Sequence, residues 1–587
     1  MARLHGIVNT APLVQKKVNF FADYFSYMVE YMGEEEGLSL DNPLSIIEKV
    51  IFQLETNLTN SVQYLENYFS NPFLLNTKLM SEYSHYPNVL ALINAFQSQP
   101  IKKKLVWLQQ NKTTFLSNAK SLQRQLSENM FKKSLDAAIS YLTCPHDIDF
   151  HIQDFRTHTQ IIVSELFFSG RNRKDLGKTF EKIITKDIKE FPFPKHIKSN
   201  RDKAKFMANR SLKEQFEGIY NLLDHDREKN TFLFRIFGLK TEDTFKFKYN
   251  HVTFVSSNDT RFDNFKNASR TNLFANSFFS PKDFIIAYVK VQFTISELGR
   301  KDALNIIREE MKFLRSATES NLTLDPYSYL ATRNFKNFGG SFGSKTKGVF
   351  IDKEKIRIIN DNPFKFLRKY QGECVERFLK CESLFVAANE SGKTSDYWHY
   401  LEVLIPKSED DKKRIKSVLS HAILLNYISL HERHLKEHLY YYVFDIFSNN
   451  HESLGITEEQ KKYYSQYKNI NLTKLSTVIS HPFIKHLLSD WKNKRKEIDY
   501  DSLQKYYYSI LTEAYEIRNG YIHEGINNEK SVLKIYYSLP RLIVRFRWVI
   551  FAEIRKQKWN NFDDLINSIE EQGKTLLQKN SHITKIS

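Results

Sequence analysis

The chain has 587 residues, 41% of them hydrophobic and 14% aromatic. That excludes a disordered polypeptide and predicts two to four domains. Its formal charge of +18 suggests a polyanionic partner such as nucleic acid, although compositional bias towards lysine gives the same spread of charge along a chain.

Three cysteines, Cys144, Cys374 and Cys381, form no CxxC pair. Their odd number argues against a disulfide framework and for a reducing compartment. No signal peptide is visible, and no apolar run approaches the roughly 18 uncharged residues that cross a bilayer. A cytoplasmic protein without membrane contact is expected.

Residues 1–145 read as a helical region, with Phe21, Tyr24, Phe25, Met28 and Met32 at helical spacing. Residues 146–360 read as an α/β domain of possible sensing or regulatory role. Strands are predicted over Thr231–Gly238, Thr244–Tyr249, His251–Val255 and Phe284–Phe293, with a helix over Arg300–Thr318. Gly339, Gly340 and Gly343 mark a flexible turn. Residues 361–560 read as helical again. Helices are predicted over Pro363–Ala388, Asp411–Phe447, Asp501–Glu524 and Glu529–Lys558, the last kinked or interrupted at Pro540. Residues 561–587 read as a short helix and a polar tail.

The chemistry concentrates in Glu516-Ile517-Arg518-Asn519-Gly520-Tyr521-Ile522-His523-Glu524-Gly525. Apolar and aromatic neighbours single out the polar residues. In a regular helix positions 518 and 523 are about 140° apart. Gly520 and Gly525 therefore suggest that the helix loosens or ends here. His523 near a helix C-terminus is favoured as imidazolium, which suits a general acid. Arg518 can hold a phosphate by two parallel hydrogen bonds, and Asn519 can orient it. RNA would supply its own 2′-OH nucleophile, leaving a 2′,3′-cyclic phosphate with no cofactor or metal. The plainer interpretation is a surface Arg and His closing a helix. The following helix carries Arg541, Arg545 and Arg547, a candidate RNA-binding stripe.

Residues 361–560 resemble a HEPN domain, most closely the Apea-like branch of bacterial antiphage defence proteins. The likeness rests on Glu376–Phe385, Arg414–Leu425 and Glu516–Gly525. It implies a C-terminal four-helix bundle, so the whole chain is expected to be mostly α with a central α/β domain. It implies catalysis by Arg518 and His523 with Asn519 in support. It implies a homodimer whose two motifs form one composite site. The expected activity is a metal-independent endoribonuclease acting on tRNA or on phage or host mRNA. The expected role is a toxin-like or abortive-infection effector, answering a phage-derived trigger. A non-catalytic HEPN scaffold for RNA binding or dimerisation is the alternative.

Two other motifs compete. Ala387–Thr394 fits a permissive P-loop, with Lys393 and Thr394 as nucleotide contacts, and would make the protein a nucleotide-responsive regulator. It needs a strand before it, for which Ser383–Ala388 is the candidate. The alternative is a polar loop between two helices. His434-Leu435-Lys436-Glu437-His438 has the inverzincin form, with His431 beside it and Glu513 or Glu516 as a possible third ligand. The favoured interpretation there is a histidine stripe without metal.

Overall fold

The computed structural model describes residues 12–33, 39–147, 151–341 and 373–583, apart from 56–57, 406–407, 409, 444–469, 480–481, 497, 524–528, 557–558, 560 and short gaps between 170 and 337. They form two compact units. One comprises 1–165, 177–221 and 363–587; the other comprises 166–176 and 222–362. From sequence, the N-terminal helices and the C-terminal third are expected in separate domains. Their contacts instead put them in one unit.

In the first unit, α1 (Pro12–Tyr31), α2 (Pro43–Glu55), α3 (Leu58–Phe69) and the 43-residue α4 (Ile101–Thr143) carry the N-terminal part. Helix α2 buries Ile46, Ile47, Val50, Ile51 and Leu54, a spacing that places apolar side chains on one broad stripe. Phe69, Phe96 and Phe115 pack on that stripe's core.

Among the described residues, the second unit holds a six-stranded sheet, in the order β2-β3-β4-β1-β5-β6. Its strands are β1 (Asn230–Phe237), β2 (Lys246–Tyr249), β3 (Val252–Ser256), β4 (Phe284–Val291), β5 (Thr323–Thr332) and β6 (Phe338–Ser341). Every pairing is antiparallel. The region is thus an antiparallel sheet with helices on its faces, and helical segments connect β3 to β4 and β4 to β5. Side chains alternate along β1 as the pleat requires. Phe232, Phe234 and Ile236 meet Ala303, Ile307 and Met311 of α5 (Glu297–Thr318). Leu233 faces the other way, towards Phe262, Phe265 and Phe278. Gly339 and Gly340, expected in a turn, lie in β6 opposite Ala331 and Leu330. Gly343 lies outside the described residues.

The C-terminal part of the first unit contains α6 (Glu373–Ser391), α7 (Thr394–Leu404), α8 (Asp411–Leu424), α9 (Tyr427–Val443), α10 (Tyr500–His523), α11 (Glu529–Lys556) and α12 (Phe562–Ile583). The predicted start at Pro363 lies outside the described residues. The long helix expected from Asp411 is two helices, separated at Leu425 and Asn426. Helix α11 runs unbroken through Pro540.

Among the described residues, α6, α7, α8, α10, α11 and α12, with Tyr427 from the start of α9, share one core, more helices than the expected four. The short helix expected after residue 560 is a 22-residue helix that joins this core, and residues 584–587 lie outside the described residues. Helix α12 buries Phe562, Leu565, Ile566 and Ile569. It lies so close to α8 that a Cβ at Gly573 would meet the His421 carbonyl oxygen at 2.6 Å. Among the described residues, no helix is long and apolar enough to cross a membrane.

Candidate functional site

Helix α10 carries the motif. Leu503, Tyr507, Ile510, Leu511, Ala514 and Ile517 are buried along one face of it. That face anchors the helix in the C-terminal core. The neighbouring face carries Glu513 and Glu516 and packs against the N-terminal helices.

There a closed ring of four buried charges forms. The Lys49 ammonium lies 2.7 Å from Asp41 and 2.8 Å from Glu513. The Lys534 ammonium lies 2.8 Å from Asp41 and 2.9 Å from Glu513. Two cations and two anions cancel, and each ion has two opposite neighbours. Burial pushes the Asp41 and Glu513 carboxyls up, but Lys49 and Lys534 outweigh it and hold both below the usual range. Asp41 precedes α2, Lys49 lies on it, Glu513 lies on α10 and Lys534 on α11. The ring therefore fastens the N-terminal helices to the motif helix.

Glu516 sits beside the ring. Gln53 Nε2 donates to its carboxylate at 3.2 Å, and the Tyr64 hydroxyl is a second partner. Burial, then repulsion from Glu513, pushes its pKa up to about 8. Glu516 is thus a protonated structural residue at neutral pH.

Arg518 and Asn519 lie at the partly exposed end of α10. One Arg518 nitrogen donates to Asn519 Oδ1 at 3.1 Å; another reaches Glu402 Oε1 of α7 at 3.3 Å. The second Glu402 oxygen lies 3.7 Å from Nδ1 of His399, one helical turn earlier on α7. Lys412 hydrogen-bonds the Tyr515 hydroxyl, which raises its pKa, and Arg518 is near enough to oppose that rise. The arginine thus sits among a carboxylate, an amide and a second cation. Such a cluster can grip a phosphate and hold it against a histidine.

The backbone is helical through Gly520 to His523, so the glycine does not loosen the helix. Positions 518 and 523 keep their roughly 140° separation. The side chain of His523 lies outside the described residues.

Arg541, Arg545 and Arg547 of α11 do not form one stripe. Arg541 donates to the Glu30 carbonyl at 3.1 Å. Arg545 is only 3% exposed and donates to the Tyr507 hydroxyl at 3.0 Å. Arg547 points elsewhere, pairing with Glu382 at 2.6 Å and lying over the Phe385 ring. Residues four apart share a helix face, but 547 is turned well away from 541 and 545. Arg545 and Arg547 hold helices together.

Lys393 and Thr394 have no P-loop around them. Ser383–Ala388, the candidate strand, lies within α6. Gly392 turns the chain in the left-handed region (φ 69°), and α7 begins at Thr394, itself buried. Helix–turn–helix replaces the strand–loop–helix that cradles phosphates. His434, from the zinc-type motif, stacks on Tyr31 with ring centroids 4.7 Å apart, while Glu437 pairs with Arg433. Among the described residues, no three His, Cys, Asp or Glu side chains converge as metal ligands.

Glu402, His399 and Lys412 were not singled out from sequence. Their signal is slight: His399 and Glu402 are polar positions three apart in the otherwise largely apolar Tyr397–Leu404. Comparison of the chain with family models, curated proteins and solved structures finds no match.

Proposed function

We propose that the chain is a metal-independent endoribonuclease of the HEPN type, with Arg518, Asn519 and His523 as its catalytic residues. One observation carries this reading. At the end of a helix buried on two sides, Arg518 and Asn519 stay partly exposed and touch each other, with a carboxylate and a second cation near the arginine.

The chemistry is an in-line transesterification. The 2′-oxygen attacks phosphorus while the P–O5′ bond breaks. Arg518 balances charge on the non-bridging oxygens, Asn519 orients the phosphate, and His523 protonates the leaving 5′-oxygen. A continuous helix separates positions 518 and 523, which favours a composite site completed by a second copy of the chain. RNA as the polyanionic partner accords with the net charge of +18. A growth-arresting role in antiphage defence is proposed from the family resemblance alone.

The test is cleavage of total RNA and tRNA in EDTA. Arg518→Ala and His523→Ala are each expected to lower the rate by about 10²-fold or more. Cleavage at the wild-type rate in both variants contradicts the assignment.

A further inference from the structure

Transesterification moves two protons, one off the 2′-hydroxyl and one onto the 5′-oxygen. The motif contains one histidine. The continuous course of α10 through Gly520 keeps position 523 well around the helix from Arg518. A different histidine reaches Arg518 through a single shared residue. Glu402 contacts Arg518 with one oxygen, at 3.3 Å, and lies 3.7 Å from His399 Nδ1 with the other.

We propose that His399 is the general base of this site and that Glu402 positions it. The assignment rests on the ribonuclease reading above. With Nδ1–H turned to the carboxylate, His399 presents Nε2 as the atom that accepts a proton. The carboxylate fixes the tautomer and stabilises the imidazolium that forms, as an acidic partner does for histidine in other hydrolytic sites. His399 Nε2 takes the 2′-OH proton, and the 2′-oxygen forms its bond to phosphorus. The P–O5′ bond then breaks and its electron pair leaves with the 5′-oxygen, which takes a proton from His523. Water later returns both histidines to their starting states.

Three features suit this role. The His399 side chain is 57% exposed, so a ribose can reach it. Its helix is held firmly, because Tyr397, Trp398, Tyr400 and Leu401 around it are buried. Glu402 ties base and phosphate-binding arginine into one rigid spacing, which is what a near-attack geometry needs. A gap of 3.7 Å is long for a hydrogen bond, and such contacts commonly tighten once substrate is bound.

The test uses mixed-sequence RNA oligonucleotides in EDTA with one 5′-bridging phosphorothiolate linkage, alongside the all-oxygen oligonucleotides. A thiolate leaves without protonation, so the sulfur substrate spares the general acid and still needs the base. His399→Ala is expected to cut both substrates at least 10²-fold more slowly than wild type. His523→Ala should be slow on the oxygen substrate and close to wild type on the sulfur one. Glu402→Gln should lower kcat while leaving KM within about threefold.

Wild-type rates in His399→Ala overturn the proposal and leave the ribonuclease reading standing. Rescue of His399→Ala by sulfur makes His399 an acid and also overturns it. Wild-type rates in both Arg518→Ala and His523→Ala, or no cleavage by the wild type, remove the reading on which the proposal rests. Circular dichroism of His399→Ala, an exposed position, separates lost chemistry from lost fold.

Discussion

Glu516 stands within two residues of Arg518 and is easily mistaken for part of the chemistry. Its surroundings give it a different role. Burial and Glu513 raise its pKa to about 8 from an ordinary 4.5, so the folded protein holds a proton that the unfolded chain releases. Between those values the native state binds more protons. Stability therefore falls as pH rises from about 4.5 to about 8, by an amount on the order of a few kcal/mol. Asp41 and Glu513 act with the opposite sign. Their lowered pKa values give stability that is present above about 4 and lost as pH falls. Glu516→Gln should remove the alkaline loss. Its Tm should exceed that of the wild type at pH 9 and approach it at pH 5. A wild-type Tm that is flat from pH 5 to 9 contradicts this assignment.

The sequence makes the motif visible because its polar residues interrupt an apolar helix. It does not reveal Glu402, which lies 116 residues before Arg518 and meets it only through folding. It also gives no warning that Arg545 is buried. An arginine whose stem packs and whose head finds a tyrosine looks, in sequence, like any solvated arginine.

Helices α2, α10 and α11 meet at the four-charge ring. Removing one member leaves the others with unbalanced charge in a dry setting, which typically costs about 3–5 kcal/mol. Lys534→Met is expected to lower stability by that order, read as a lower urea midpoint. Replacing all four members together with apolar residues of similar size should cost far less, because well-packed apolar groups often match a buried ion network. Equal losses in the single and fourfold variants would show that packing, rather than charge balance, governs the contact.

Strands β1 and β4 were legible as apolar runs between polar breaks. Strands β5 and β6 were not, since Pro326 interrupts the first and the glycine pair lies in the second. Such residues normally signal turns.

At the scale of the molecule, the N-terminal helices belong to the unit that carries the motif. Phe20, Tyr24 and Tyr27 pack on Phe483, and Tyr31 stacks on His434. With the ion ring, these contacts cover surfaces of the C-terminal part that are apolar or charged and buried. Residues 363–587 produced alone should therefore unfold without cooperativity and bind a hydrophobic dye. A sharp unfolding transition for that segment would show that it folds independently, as the boundaries drawn from sequence suggest. Those boundaries followed composition along the chain, and the pairing of Lys49 with Glu513 spans 464 residues. Nothing local announces a contact of that range.

The proposed reaction is attack of the RNA 2′-oxygen on a phosphate held by Arg518. The most direct measurement is the chemistry of the new ends. Full-length protein is incubated with RNA in EDTA, and the products are analysed by mass spectrometry. Expected are 2′,3′-cyclic phosphate and 5′-hydroxyl ends, absent with Arg518→Ala. Ends bearing 3′-hydroxyl and 5′-phosphate, or identical products from Arg518→Ala, would contradict it.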